Sequence, residues 1–157
     1  MKNNIDRGSF KLILSNAETS FVLEDITAVE LPGIDQSATE IPLRNGYMGR
    51  RTSGNPITWS DLNIEFLVDE YMDNYFYFYD WMMGQNSPIT GNAEDKVMTG
   101  VLLINRMDKT TLREIEFKGI QPLSIPNIRF ESTSEDTQFE LANVTLSIDY
   151  MTSKRGK

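Results

Sequence analysis

Two periods of hydrophobic residues meet in the segment 57–84. From Leu62 to Val68 every second residue is apolar, which is the period of a β-strand with one buried face. Beyond residue 69 the apolar positions recur every three or four residues, as along one side of an α-helix; they are Tyr71, Tyr75, Phe78 and Met82. Asp69 and Glu70 place carboxylates where a helix begins, and Gly84 suits the turn after its end. The segment therefore predicts a strand over 58–68 followed directly by a helix over 70–83.

Shorter alternating runs predict further strands over 10–14, 21–29, 96–106, 112–119, 128–130 and 138–150. The first two are expected to pair as a hairpin with an irregularity near Asp25. Pro122 and Pro126 are expected to keep 121–127 out of the central sheet, because proline lacks the N–H group that a strand donates. A change in the parity of apolar positions predicts a β-bulge near 142–143. Many strands and one helix indicate a mainly β fold, an antiparallel β sandwich or barrel with one flanking α-helix.

The segment 34–56 is long, mostly polar and rich in turn signals. A loop of more than about 12–15 residues in a small domain usually has a function or is disordered. Interleaved apolar residues argue against disorder here: Ile41, Leu43, Tyr47 and Met48. We interpret the segment as an extended arm or loose hairpin that becomes ordered against a neighbouring molecule.

Composition limits the possible functions. The 157 residues suit a single domain, and the chain has no apolar run of the roughly 18–20 residues that span a membrane. It contains neither Cys nor His, which excludes disulfides, Cys/His metal sites, and Ser-His or Cys-His nucleophiles. The first ten residues lack the apolar segment of a secretory signal, which predicts assembly in a cytoplasm. We therefore expect a protein without cofactor or metal, and not an enzyme.

Charge is unevenly distributed along the chain. The net charge of −8 argues against clamping nucleic acid, which needs clustered Lys and Arg. Residues 12–43 and 52–95 contain acidic residues and no Lys or Arg, and the basic residues gather in 44–51, 96–129 and 154–157. Most single carboxylates are expected to be solvated surface groups, but blocks of opposite sign also suit self-association between different faces.

The predicted helix carries more aromatic side chains than one buried stripe needs. Its polar residues Asp73, Asn74 and Asp80 are expected opposite that stripe. Some of the remaining large side chains should therefore stay at the surface and form an interface; these are Phe76, Tyr79, Trp81 and Met83.

The chain resembles the tube subunits of contractile bacteriophage tails, the T-even-type tail tube family. The resemblance is carried by a series of segments in a fixed order, from about residue 21 to residue 151. They are AVELPGI (28–34), GYMGRRTSGN (46–55), WSDLNIEFLVDE (59–70), FYDWM (78–82), GQNSPITG (84–91), EIEFKGIQPLSIPNIRFES (114–132) and TQFELANVTLSIDYM (137–151).

This resemblance implies a single tail-tube-like domain over 1–157 that assembles into six-membered rings, which stack into a DNA-conducting tube within the virion. One lumen-lining β-barrel would join all subunits, and the arm would reach an adjacent subunit or ring; the arm residues are Ile41, Leu43, Arg44, Tyr47, Met48, Arg50 and Arg51. A helix face would meet the tail sheath through Asp73, Asn74, Tyr77 and Trp81. The possible lumen carboxylates are Asp61, Glu65 and Glu116. Sheath, baseplate and tape-measure proteins would be partners, DNA would pass without specific binding, and no membrane would be involved.

Other functions remain open at this point. The chain is also compatible with a tube-fold ring protein at the baseplate or tail end, or with a type VI secretion tube protein. A different class is a monomeric β-barrel binding module with a ligand pocket around an aromatic residue such as Trp59. A carboxylate-dependent hydrolase is a third class, for which the sequence offers no paired site.

Overall fold

The computed structural model describes residues 8–17, 19–41, 50–52, 56–85, 97–132 and 139–156, of which 50–52 and 85 are described by their backbone. They form one helix, α1 (Asp73–Gln85), and eleven strands. The strands are β1 (Phe10–Ser15), β2 (Ser20–Glu30), β3 (Ile34–Asp35), β4 (Thr39–Ile41), β5 (Arg50–Thr52), β6 (Thr58–Trp59), β7 (Leu62–Leu67), β8 (Met98–Asn105), β9 (Thr111–Ser124), β10 (Leu141–Ser147) and β11 (Tyr150–Arg155).

Six strands close into an antiparallel β-barrel. They follow the order β10-β7-β2-β1-β8-β9, and the second half of β9 returns to β10, where Gln121 lies opposite Ser147. The first half of β9 pairs instead with β11, which continues the sheet beyond the barrel. The predicted fold class is confirmed, since the architecture is a closed barrel with one helix packed against it.

Alternate residues of the barrel strands point into one core. Neighbouring strands contribute matched positions, for example Val144 opposite Ile64 and Leu12 opposite both Leu23 and Leu102. Gly100 lies close against the core side chains, because a Cβ atom there would meet Ile120 and approach Leu14 to 3.2 Å. The buried cluster consists of Leu12, Leu14, Leu23, Ile26, Leu62, Ile64, Phe66, Phe78, Trp81, Met98, Leu102, Ile115, Phe117, Ile120, Ala142, Val144 and Leu146.

Several predicted strands are confirmed. The β1–β2 hairpin has the predicted irregularity. Phe10 lies opposite Ile26 but Leu12 lies opposite Leu23, so the register shifts at Glu24 and Asp25. The turn between β8 and β9 closes through a hydrogen bond from the Arg106 N–H to the Thr110 carbonyl. The strand predicted over 58–68 is interrupted at residues 60–61, which separate β6 from β7.

The C-terminal third departs from prediction in four respects. β9 continues through Pro122, because its ladder with β8 ends at Ile120 and a strand with one free side tolerates proline. Residues 128–130 form no strand. The predicted bulge near 142–143 is wrong, because β10 pairs regularly with β7, and Phe139 and Leu141 simply face outward. The predicted last strand divides into β10 and an unpredicted β11.

Helix α1 begins three residues later than predicted. Residues 69–72 form a turn, in which Met72 takes a positive φ of 59° and its N–H donates to the Asp69 carbonyl over 3.1 Å. Tyr71 therefore precedes the helix and is 78% exposed, so its expected place in the buried stripe is wrong. The helix packs on the barrel through Phe78, whose ring lies 5.6 Å from that of Phe66. In the described part of the chain, no helix is long and apolar enough to span a membrane.

Candidate assembly surfaces

The junction between β7 and α1 is held by two polar side chains. The Asp69 carboxylate accepts hydrogen bonds from the N–H groups of Asp73 (2.7 Å) and Asn74 (3.3 Å), two groups that lack partners within the helix. The Asn74 side chain donates from Nδ2 to the Leu67 carbonyl (2.7 Å) and accepts from the Tyr75 N–H (2.8 Å). Asn74 is only 6% exposed. It is thus a structural link between strand and helix.

The burial of α1 corrects the predicted sheath-facing residues. Asn74 is buried, Trp81 is 8% exposed, and the Tyr77 ring stacks on Phe21 with a centroid distance of 3.8 Å. Burial also raises the pKa of Tyr77. Of the four predicted residues only Asp73 lies at the surface. The reason is that the start of the helix at Asp73 turns residues 74, 78 and 81 toward the core.

The exposed side of α1 is apolar and aromatic. Three of the four large residues predicted to stay at the surface do so, namely Phe76, Tyr79 and Met83, whereas Trp81 is buried. The rings of Phe76 and Tyr79 meet edge to face, with their centroids 5.9 Å apart. Asp80 lies beside them at the surface. Exposed aromatic and Met side chains grouped on one helix face are typical of a protein interface.

The arm begins as a two-stranded antiparallel ribbon. β3 pairs with β6, where Ile34 lies opposite Trp59, and β4 pairs with β5, where Ile41 lies opposite Arg50. At its base the Ser60 hydroxyl accepts a 2.7 Å hydrogen bond from the Gly33 N–H. The arm residues Leu43, Arg44, Tyr47 and Met48 lie outside the described residues, and only the backbone is described for Arg50 and Arg51.

The three predicted lumen carboxylates lie apart. Asp61 precedes β7 and is exposed, and Glu65 lies on β7, where it accepts a 2.9 Å hydrogen bond from the Thr27 hydroxyl. Glu116 lies on β9, which β2, β1 and β8 separate from β7 in the sheet, and it forms an ion pair with Lys118. The hydrogen bond from Lys118 holds the pKa of Glu116 below its usual value. These residues therefore do not form one acidic group.

The edges of β2 and β11 are among those without a partner strand in the part of the chain that the structure describes. β2 pairs with β7 only from Ile26 onward, so residues 20–25 have β1 on one side and no described strand on the other. That edge opens on a cleft of about 440 Å³ beside the start of α1. β11 pairs along its whole length with β9 and with no other described strand. Unpaired edges of this kind are places where another chain can add a strand.

Nothing in the described residues suggests chemistry. They contain no group of three acidic residues placed to hold a metal ion. Trp59, the candidate for a ligand pocket, lines an open cleft of about 350 Å³ at the base of the arm and pairs there with Ile34. The features that stand out are surfaces for contact with other proteins.

Comparison with known proteins identifies the family. The chain is 34% identical to tail tube protein gp19 of Enterobacteria phage T4 over 113 residues, which cover 67% of this chain and 68% of the phage protein. The chain belongs to the tail tube protein family. As a tail tube protein it is a structural component of a phage-type tail, and not an enzyme. No protein-family model matches the chain.

Solved structures agree with this fold at much lower identity. The tube-terminating cap of the anti-feeding prophage aligns with a TM-score of 0.71 and 15% identity, covering 99% of this chain and 94% of that one. The sheath–tube complex of an extracellular contractile injection system (PVC) aligns with a TM-score of 0.65 and 16% identity, covering 92% of this chain and 88% of that one. Tail tube and tube-end proteins thus share the barrel described above.

Little in the residue pattern indicates β11. Its residues are exposed on both faces except Met151, so no alternation of apolar and polar side chains marks the strand. Tyr150 and Thr152, which favour strands, were the available signal.

Proposed function

We propose that this tail tube protein assembles into six-membered rings, and that the rings stack into the inner tube through which DNA passes during ejection. Membership of the tail tube family is the observation that carries this proposal. The two unpaired strand edges support it, because a closed ring gives each edge a partner in the next subunit. Sheath, baseplate and tape-measure proteins are the proposed partners.

The arm is proposed to contact a neighbouring subunit or ring. Its described ribbon leaves Ile34, Ile41 and Ile57 exposed, which is unfavourable unless another surface covers them. The basic segment 44–51 at its far end suits the acidic surface of the rest of the chain. We propose the contact residues named from the sequence for this role: Ile41, Leu43, Arg44, Tyr47, Met48, Arg50 and Arg51.

The outward face of α1 is the proposed sheath contact. Asp73 stays in the proposed contact, and four exposed residues take the place of the buried ones predicted from the sequence. These are Phe76, Tyr79, Asp80 and Met83. They combine aromatic contact area with carboxylates that a basic partner surface can pair.

The bore of the tube is proposed to hold DNA weakly because its lysines are neutralised. On the outward face of the sheet, Lys11 pairs with Glu24 over 2.9 Å, and Lys118 pairs with Glu116. Phosphate binding requires free cationic groups, which these ion pairs do not offer. Glu116 is therefore proposed to lie in the lumen as part of a charge-balanced wall. Asp61 and Glu65 remain candidate lumen carboxylates at other positions.

Size-exclusion chromatography combined with negative-stain electron microscopy tests the proposal. We expect rings and tubes from the purified protein at high concentration. Rings that never stack would favour the alternative of a specialised ring at the baseplate or tail end, a fold that the anti-feeding prophage cap shares. Monomers or closed dimers alone would contradict a tube role and favour a monomeric binding module.

A further inference from the structure

Strand β9 carries an extra residue in the middle of the sheet. On β8, Met98 and Gly100 are two residues apart, whereas their partners on β9, Ile120 and Phe117, are three residues apart. The surplus residue forms a β-bulge at 118–119. Within it, Gly119 takes a positive φ of 69°, in the left-handed region that residues with a side chain rarely adopt.

The position of this glycine inside a strand sets it apart. The other described residues with a positive φ are Met72 and Lys109, which lie in the connections before α1 and between β8 and β9. Gly119 instead lies within the 14-residue strand β9. The bulge changes the parity of the buried positions, so that both Phe117 before it and Ile120 after it point into the core.

Strand β9 also changes its partners at the bulge. Its first half lies between β8 and β11, and its second half leaves β8 at Ile120 and pairs with β10. The first half thus belongs to the sheet that extends beyond the barrel, and the second half closes the barrel. Because a bulge bends the strand that carries it, Gly119 lies at the corner between these two parts.

Asp149 packs against this corner from the connection between β10 and β11. Its N–H group donates a 2.9 Å hydrogen bond to the Lys118 carbonyl. Its side chain occupies the space that a side chain at position 119 would need, since a Cβ atom added to Gly119 would meet the Asp149 carboxylate and lie 2.9 Å from its Cβ atom. An alanine at position 119 would therefore combine an unfavourable φ with a steric conflict.

We propose that Gly119 and Asp149 determine the number of subunits in the ring, as positioning residues that fix the angle between the barrel and β11. The inference rests on the proposed ring and adds what sets its size. β11 has an open edge, so a subunit that covers this edge takes its orientation from the direction of β11.

A small change at the corner is enough to alter the ring. Neighbouring subunits are rotated by about 60° in a ring of six and by about 51° in a ring of seven, a difference of about 9°. Adjacent strands of a sheet are already twisted by roughly 20–25° relative to each other, so a modest change of bend at a bulge covers this difference. The conformation of one residue at the corner can therefore select between ring sizes.

Gly119→Ala tests the inference directly. The substitution displaces either the backbone at position 119 or the Asp149 side chain, and both change the bend of β9. We expect six-membered rings to be lost in favour of another ring number or of open arcs. Native mass spectrometry counts the subunits, and top views in negative-stain images give the ring diameter. Circular dichroism and the melting temperature report whether the subunit is folded.

Asp149→Ala is a second variant, which decides the question if Gly119→Ala does not fold. The Asp149 side chain is exposed, and the hydrogen bond from its backbone to Lys118 does not depend on it, so the fold should persist. Removing the carboxylate leaves the space beside Gly119 empty and the corner less constrained. We expect a mixture of ring numbers in place of one.

Ile64→Val is the matched control for a general loss of stability. Ile64 is buried on β7, a strand that does not pair with β9, so the variant should lower the melting temperature without changing the ring number. Unchanged six-membered rings in the folded corner variants would overturn the inference and leave the proposed ring intact. An equal change of ring number in Ile64→Val would also overturn it. A wild-type chain that never forms rings would refute the proposed function itself.

Discussion

Single residues fix how neighbouring elements are joined, and these junctions determine which side chains reach the surface. Asn74 joins the end of β7 to the first turn of α1 through hydrogen bonds from and to its side-chain amide. Its burial sets which helix face meets the barrel and hence which aromatic residues remain outside. A residue that the polar pattern assigned to the surface thus decides the position of the candidate sheath contact.

Replacing Asn74 should destabilise the fold. Asn74→Ala leaves the Leu67 carbonyl and the Tyr75 N–H without their partner in a partly buried site, at a cost of about 1–3 kcal/mol. Asn74→Asp keeps the acceptor for the Tyr75 N–H but cannot donate to Leu67, so an intermediate loss is expected. Urea unfolding at a fixed protein concentration measures both. Asp80→Ala on the exposed side should change stability by less than about 0.5 kcal/mol, and an equal loss there would contradict the role of Asn74.

Gly100 provides a second residue-scale prediction, because its site has no room for a methyl group. Gly100→Ala would press against Ile120 and Leu14, and overpacking of this kind costs about 1–3 kcal/mol. Gly33→Ala is the matched control, since a Cβ atom there would meet only the Ser60 hydroxyl, at an ordinary 3.5 Å. Thermal unfolding should separate the two variants; equal melting temperatures would show that the core adapts freely.

At the scale of elements, strands with one buried face were predictable and β11, which has none, was not. β1, β7 and β9 alternate apolar with polar residues, because one face of each contacts the core, and the sequence carries that period. β11 has no buried face within the subunit, so its place in the sheet depends on backbone pairing with β9. The prediction from Pro122 was wrong for a related reason. Pro122 lies beyond the point where β9 stops pairing with β8, and that point depends on how the sheet is assembled.

The candidate surfaces were predictable only in part. The excess of aromatic residues indicated that α1 has an exposed interface, but the exact side depends on where the helix begins. That start is fixed by the Asp69 cap and the turn at Met72, which a hydrophobic period does not encode. The unpaired edges of β2 and β11 could not be predicted, because they depend on the strand order, which no local pattern reports.

The arm should be separable from the barrel. Replacing residues 36–55 with Asn-Gly keeps the β3–β6 pair and joins Asp35 to Pro56 through a short turn. We expect a folded subunit that still forms rings but no longer stacks, because none of the residues 36–41, whose side chains the structure describes, belongs to the barrel core. Circular dichroism checks the fold and negative-stain imaging checks stacking. Loss of the soluble fold would show that the arm belongs to the core, and normal tubes would show that it makes no contact between rings.

At the scale of the whole molecule, we propose three distinct contact surfaces on one barrel. The lateral sheet edges suit the next subunit in a ring, the arm suits a neighbouring subunit or ring, and the exposed side of α1 suits a sheath. A net charge of −8 with paired lysines on the outward sheet face fits passage of DNA better than its capture. The proposed assembly thus gives a role to the open strand edges and to the exposed aromatic side chains around the core.

A cryo-electron microscopy reconstruction of the assembled protein tests the central claim most directly. We expect rings of six subunits in which the unpaired edges of β2 and β11 are covered by neighbouring subunits, so that the sheet continues around the bore. The exposed side of α1 should lie on the outside of the ring. An assembly without rings, or a ring closed through the α1 surface with β11 left unpaired, would contradict the account.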